Sequence, residues 1–129
     1  MDNRKIDRLV AVNKIINEIA TRGRKFFYTK NKGTSYFYLA GDKRKRLWFW
    51  DKYAGKVNPY QVYDKCSEGG TLWALIKDFK EFILTGNHTN GNNGYGGLYC
   101  PHWGYPEEDM KAIRAVAKEV GFLKGEANG

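Results

Sequence analysis

Thr34-Ser35-Tyr36-Phe37-Tyr38-Leu39, followed after a short polar break by Arg46-Leu47-Trp48-Phe49-Trp50, is the stretch that decides the fold. Both runs are rich in β-branched and aromatic residues, which suit a pleated, half-buried surface. Alternate residues of a strand point to opposite faces. Tyr36 and Tyr38 therefore share one face and Phe37 and Leu39 the other, while Trp48 and Trp50 lie opposite Leu47 and Phe49. One aromatic set belongs to the core; the other, where exposed, makes a binding platform. Gly41-Asp42 turns the first run toward the second. Upstream, Lys25-Phe26-Phe27-Tyr28-Thr29 reads as another strand, joined to Thr34 by the hairpin chemistry of Asn31-Lys32-Gly33. Downstream, after a turn near residues 51–56, Pro59-Tyr60-Gln61-Val62-Tyr63 reads as a fourth strand, with Pro59 at its first residue or on an edge. Together these make an antiparallel meander.

Helices flank it. Over residues 5–22, Ile6, Leu9, Val10, Val12, Ile16 and Ile19 fall mostly at three- and four-residue spacings, the core-facing stripe of an amphipathic helix, with Gly23 at its end. After Glu68-Gly69-Gly70, Thr71 is placed to cap a helix whose stripe is Leu72, Leu75, Ile76, Phe79, Phe82 and Ile83, closed by Gly86. Residues 86–97 are nearly all Gly and Asn and form a loop long enough to be flexible or functional. Pro106 opens the last helix, with Glu107, Glu108 and Asp109 at the positive end of its dipole. Met110, Ile113, Val116, Ala117 and Val120 face its core side, and Gly121 ends it. The expected fold is one α+β domain over residues 1–129: a meander of about four strands carrying one N-terminal and two C-terminal helices. The last few residues are expected to be disordered.

Composition supports a folded chain of one domain. At 129 residues there is little room for a second, and 42% apolar with 16% aromatic residues is enough for a core. No apolar run approaches the roughly 20 residues of a membrane span. Met1-Asp2-Asn3-Arg4-Lys5 leads into a charged periodic segment and not an apolar signal core, so the expected location is the cytoplasm. Two cysteines make no disulfide framework and read as free thiols. Charge is uneven: residues 1–57 hold 15 Lys+Arg and 5 Asp+Glu, residues 58–129 hold 7 and 9. A basic half beside a mildly acidic one points to a surface that faces a polyanion.

Five pieces occur in order along the chain: Gly23-Arg24-Lys25-Phe26-Phe27; Leu47-Trp48-Phe49-Trp50-Asp51-Lys52-Tyr53-Ala54-Gly55-Lys56; Gly69-Gly70-Thr71-Leu72; Cys100; and Trp103-Gly104-Tyr105. This set resembles a family of small proteins encoded by tailed phages and prophages, over roughly residues 6–122. The family has no established activity, so the resemblance implies a phage origin and an accessory role and supplies no catalytic residues. For a small basic protein, a phage origin raises the expectation of contact with nucleic acid or with a host machine that handles it. Inhibitors of bacterial defence, anti-CRISPR proteins among them, are often single domains of this size, an analogy that does not depend on fold.

The residues that can carry such work are Arg24, Lys25, Lys30, Lys32 and the run Lys43-Arg44-Lys45-Arg46. These cations can neutralise phosphates, while Tyr28, Tyr36, Tyr38, Trp48 and Trp50 offer stacking faces for unpaired bases. The competing reading is a solvated hairpin tip whose charges block edge-to-edge sheet pairing. Trp103 and Tyr105, with the Gly/Asn loop, form a second candidate surface, either a protein-binding hot spot or a lid on the core. An exposed aromatic face also serves a homodimer.

Other chemistry is poorly supported. Cys66, His88, Cys100 and His102 are zinc-ligand types, but structural sites show pairs two to four residues apart, and this spacing is wrong. Glu68-Gly69-Gly70-Thr71 lacks the Gly-Lys-Ser/Thr of a phosphate-binding loop and suits a tight turn into a helix. A metal-dependent nuclease could recruit two of Asp51, Asp64 and Glu68 with His102, yet nothing in their spacing demands it. The expectation is a non-enzyme without cofactor or metal that binds DNA or RNA through its basic, aromatic first half. The alternative is an anti-CRISPR-like inhibitor of a host defence or nucleic-acid-processing protein.

Overall fold

Phe37, Leu47 and Phe49 are at most 1% exposed, and the pairing of the strands that carry them organises everything else. The computed structural model describes residues 3–23, 26–41, 43, 45–52, 54–60, 71–87, 97–99 and 103–123. Among these the order is α1 (Asn3–Gly23), β1 (Tyr28–Thr29), β2 (Gly33–Thr34), β3 (Tyr36–Ala40), β4 (Arg46–Asp51), β5 (Gly55–Val57), α2 (Thr71–Thr85) and α3 (Glu107–Glu119). β1 and β2 form a two-stranded antiparallel sheet; β3, β4 and β5 form a three-stranded antiparallel meander in that order. The chain is a single small α+β domain.

Both outer hairpins, β1–β2 and β4–β5, use the same turn. Thr29 pairs with Gly33 and Asp51 with Gly55, each across three residues. The closing glycines have φ of +83° and +82°, the left-handed conformation that such three-residue loops need and that glycine adopts without steric cost. In the second turn the buried carboxylate of Asp51 accepts the Ala54 N–H at 2.8 Å. In the first, Lys32 N–H donates to the Thr29 carbonyl at 3.2 Å.

Phe37, Leu47, Phe49 and Val57 point inward from the meander and join one core with Val12, Ile15, Ile16 and Ile19 of α1 and Leu75, Ile76, Phe79 and Ile83 of α2. Each such side chain, fully buried, contributes about 1.5–3 kcal/mol. Phe37 meets Phe49 at 4.8 Å and Phe79 at 6.3 Å between ring centroids. α1 is the central helix, contacting α2, α3, β2 and β3. Its Arg8 Nε donates to the Ile83 carbonyl at 3.0 Å, capping the last turn of α2. α3 ends with Phe122 N–H on the Ala117 carbonyl (2.9 Å) and Gly121 N–H on Lys118 (3.1 Å), which satisfies its terminal acceptors. Phe122 then packs on Phe79 at 4.9 Å and Phe82 at 5.5 Å.

One side chain ties helix to sheet. Asn13 on α1 accepts the Phe37 N–H through Oδ1 at 2.7 Å and donates through Nδ2 to the Phe37 carbonyl at 3.0 Å. Among the described strands β3 is an edge, and the Asn13 carboxamide fills the place a further strand would take.

The three-helix, antiparallel α+β reading holds, and its details shift. The run from Thr34 to Leu39 is not one strand: Thr34 belongs to β2 and β3 starts at Tyr36. Ser35 between them is 2% exposed; its N–H goes to the Phe27 carbonyl (2.8 Å) and its hydroxyl takes the Lys52 N–H (3.3 Å). It leaves the ladder to join the two sheets. The last strand among the described residues is Gly55–Val57, which starts inside the expected turn, while Pro59 and Tyr60 lie in a turn. Tyr60 N–H instead turns back onto Asn58 Oδ1 at 3.0 Å, an Asx turn; residues 61–63 lie outside the described residues. On α1, Val10 is 60% exposed while Ile15 is fully buried, because position 10 lies on the far side of the stripe defined by 9, 12, 16 and 19. Most of the Gly/Asn loop and residues 124–129 also lie outside the described residues.

Asn13→Ala strips both partners from Phe37, and its expected cost is about 2 kcal/mol, read as a lower urea midpoint at unchanged slope; an unchanged midpoint would show that the clamp carries no stability. Asp78, half-buried on α2, has its carboxyl pushed up to about 6, chiefly by burial, with Glu81 adding and Lys77 opposing. A raised carboxyl favours the fold while protonated, so this contribution is present below pH 4 and lost as pH rises through 6. The shift corresponds to about 3 kcal/mol, and partial exposure discounts it to about 1 kcal/mol. Asp78→Asn should flatten the stability profile between pH 4 and 7.

Candidate functional site

The register that buries Phe37 and Phe49 forces their neighbours outward. Tyr36 stands opposite Trp50, Tyr38 opposite Trp48, Ala40 opposite Arg46, and Trp50 in turn opposite Lys56. Residues directly opposite on one face have Cβ atoms about 4.5–5.5 Å apart, so two aromatic cross-strand rungs lie side by side on the outer face. Tyr36 is 41% exposed and Tyr38, Trp48 and Trp50 are half-buried. The Tyr36 and Tyr38 rings are 5.6 Å apart and tilted. Burial, with a smaller contribution from Tyr36, raises the Tyr38 hydroxyl above its ordinary value, so it is a protonated donor at neutral pH.

Cations are woven into this face. Lys56 Nζ lies 4.2 Å from the Trp48 ring centroid. Lys52 Nζ lies 5.0 Å from Tyr36 and 5.8 Å from Trp50. Arg46 sits 4.6 Å above the Tyr60 ring, which Lys80 also approaches at 5.6 Å. Such contacts are worth about 0.5–1 kcal/mol at exposed sites. They hold the ammonium groups beside ring faces without neutralising them.

Charge is placed at both ends of the rungs. Lys43, Lys45 and Arg46 are exposed at the β3–β4 turn. At the opposite end, Lys30 and Lys32 of the β1–β2 turn and Lys52 of the β4–β5 turn surround an open depression of about 330 Å³, which Thr29 and Asn31 also line. From Tyr36 to Ala40 the strand rises about 13 Å, so the face reads as cations, two aromatic rungs, then cations. Chemically it can stack planar rings and neutralise anions along one line.

Of the other candidate surface, the two aromatic side chains turn toward the core. Trp103 is 2% exposed, its indole N–H donates to the Gly97 carbonyl at 3.0 Å, and it meets Phe26 edge-on at 5.0 Å. Tyr105 is half-buried; its hydroxyl accepts the Phe26 N–H at 3.2 Å and donates to the Ile19 carbonyl at 3.5 Å. Both close the end of the core, as a lid does. Tyr28 is half-buried on β1 and packs against the core. Asp51 is 4% exposed and bound into its turn, which suits it to structure and not to holding a metal. Arg24, Lys25, Arg44, Asp64, Cys66, Glu68, His88, Cys100 and His102 lie outside the described residues. Sequence reasoning misses Lys52, Lys56 and Tyr60. Gly55-Lys56-Val57 does carry a signal, since a buried Val57 turns Lys56 outward, but three residues with a glycine are too short to read as a strand.

The family model described as YoqU matches residues 2–128. The chain belongs to the YoqU family. One YoqU relative, described as "SPbeta prophage-derived uncharacterized protein YoqU" of Bacillus subtilis (strain 168), is 34% identical over 125 residues, covering 92% of this chain and 85% of the relative. The expected likeness to prophage-encoded proteins is thereby borne out. No solved structure matches the chain. Within this YoqU-family chain, no helix among the described residues is long and apolar enough to cross a membrane.

The outer-face tryptophans, Trp48 and Trp50, are separable from Trp103 in solution. Iodide, an anion drawn to Lys52 and Lys56, should quench the emission that Trp48→Phe/Trp50→Phe removes more strongly than caesium does. Trp103→Phe should leave the quenchable fraction intact; its disappearance in that variant would contradict the burial of Trp103.

Proposed function

We propose that the outer face of the β3–β4–β5 sheet binds single-stranded nucleic acid, without catalysis, in the cytoplasm of a phage's bacterial host. The observation that carries this reading is the pair of aromatic rungs, Tyr36–Trp50 and Tyr38–Trp48, bracketed by cations at both ends. Single-strand binders combine aromatic platforms for successive bases with a basic track for the backbone. A duplex hides its base faces, so it gains from the cations alone. Membership in a prophage-encoded family fits an accessory role of this kind. A basic, aromatic face also fits an acidic groove on a host defence protein, and the test below separates the two.

In fluorescence anisotropy at physiological salt, labelled single strands should bind more tightly than duplexes of the same sequence. Stacking on an aromatic ring is worth about 1–3 kcal/mol per base, so Trp50→Ala and Trp48→Ala should each weaken single-strand binding about tenfold. Replacing Lys43, Lys45 and Arg46 by Ser should make the log–log salt slope shallower by about 0.7 for each phosphate no longer neutralised. Absence of single-strand binding would reject the reading and turn the search to a host protein captured after nuclease treatment.

A further inference from the structure

The depression between the two hairpin tips has features that the aromatic face does not explain. Among the described residues its lining is Thr29, Lys30, Asn31, Lys32 and Lys52: three lysines and a carboxamide, with no carboxylate among them. Among the described residues no acid pairs with any of these three lysines. The walls are also well fixed, because Lys32 N–H closes its turn on Thr29 and the Lys52 N–H is held by buried Ser35.

We infer that this depression binds the terminal phosphate of a nucleic-acid strand whose adjoining bases stack on the aromatic rungs. For its polymer the inference rests on the single-strand reading above. The choice of a terminal group follows from charge and valence. A phosphate monoester carries about −1.5 to −2 at neutral pH and three strong acceptor oxygens, which match three lysines and a carboxamide N–H. An internal phosphodiester offers a single charge and two free oxygens, and it needs the chain to leave on both sides. Lys52 joins pocket to platform, since its ammonium also lies beside Tyr36 and Trp50, the rung at this end of the sheet. The depression thus marks where a bound strand ends, and the protein recognises strand ends.

The test uses labelled oligonucleotides of one sequence ending in a 5′-phosphate, a 3′-phosphate or hydroxyls at both ends, at physiological salt. One phosphorylated form should bind at least fivefold more tightly than the hydroxyl-ended strand. That preference should shrink below pH 6, where the monoester loses its second charge. Lys30→Ser and Lys32→Ser, singly and together, should shrink and then abolish the preference, so that the three strands come to bind alike whatever the loss of overall affinity, with circular dichroism verifying the fold. Trp50→Ala should weaken all three strands alike. Equal affinity for the three ends, or a preference that survives the pocket variants, would overturn the pocket and leave the single-strand reading standing. Failure of every strand to bind would overturn both.

Discussion

A strand at the edge of a sheet presents backbone groups that nothing in the sheet can satisfy, and in this protein the carboxamide of Asn13 takes one such pair from Phe37. A carboxamide has one acceptor and one donor set at the spacing of a peptide group, so it can mimic the missing strand. The consequence extends beyond two hydrogen bonds. The clamp fixes the height of β3 against α1, and α1 contacts α2 and α3 as well. A slip of one residue would turn Tyr36 and Tyr38 into the core and Phe37 out to water. The same contact also closes an edge that would otherwise invite pairing with another chain. The sidedness of the sheet, and with it the outer aromatic face, follows from this one placement.

That sidedness is legible in the chain because it depends on local alternation. Phe37, Leu47 and Phe49 are buried and Tyr36, Trp48 and Trp50 face out, as period-two reasoning requires, and the amphipathic stripes of all three helices can be read the same way. What is not legible depends on contacts far apart in the chain. Asn13 looks like any polar residue on a helix until Phe37, 24 residues away, is brought to it. Ser35 looks like part of a strand, and only its bonds to Phe27 and Lys52 show that it divides two sheets. Trp103 is ambiguous as an aromatic in a loop; the Gly97 carbonyl and the Phe26 ring settle it as core. Lys52 and Lys56 escape because β5 is too short to announce itself.

The candidate site is thus a by-product of solving the core and also a departure from what a core needs. Two tyrosines and two tryptophans on the solvent side of a small sheet add little to folding, and a stretch of exposed aromatic surface marks an interaction site more often than a structural one. The lysines beside them serve both states. With no partner they cover ring faces through Lys56 on Trp48 and Lys52 on Tyr36, which keeps the face soluble. In the single-strand binding we propose, the same cations would meet phosphates while the rings meet bases. The remaining basic residues at the two sheet ends extend that track in both directions.

Mapping amide and indole chemical shifts on titration with a short single strand is the sharpest check on the outer sheet face as a base-stacking surface. The largest changes are expected at Tyr36, Tyr38, the indole N–H groups of Trp48 and Trp50, and Lys52 and Lys56, with Trp103 and α3 nearly still. Shifts centred on α3 or on the exposed side of α1, with the sheet face unmoved, would contradict it.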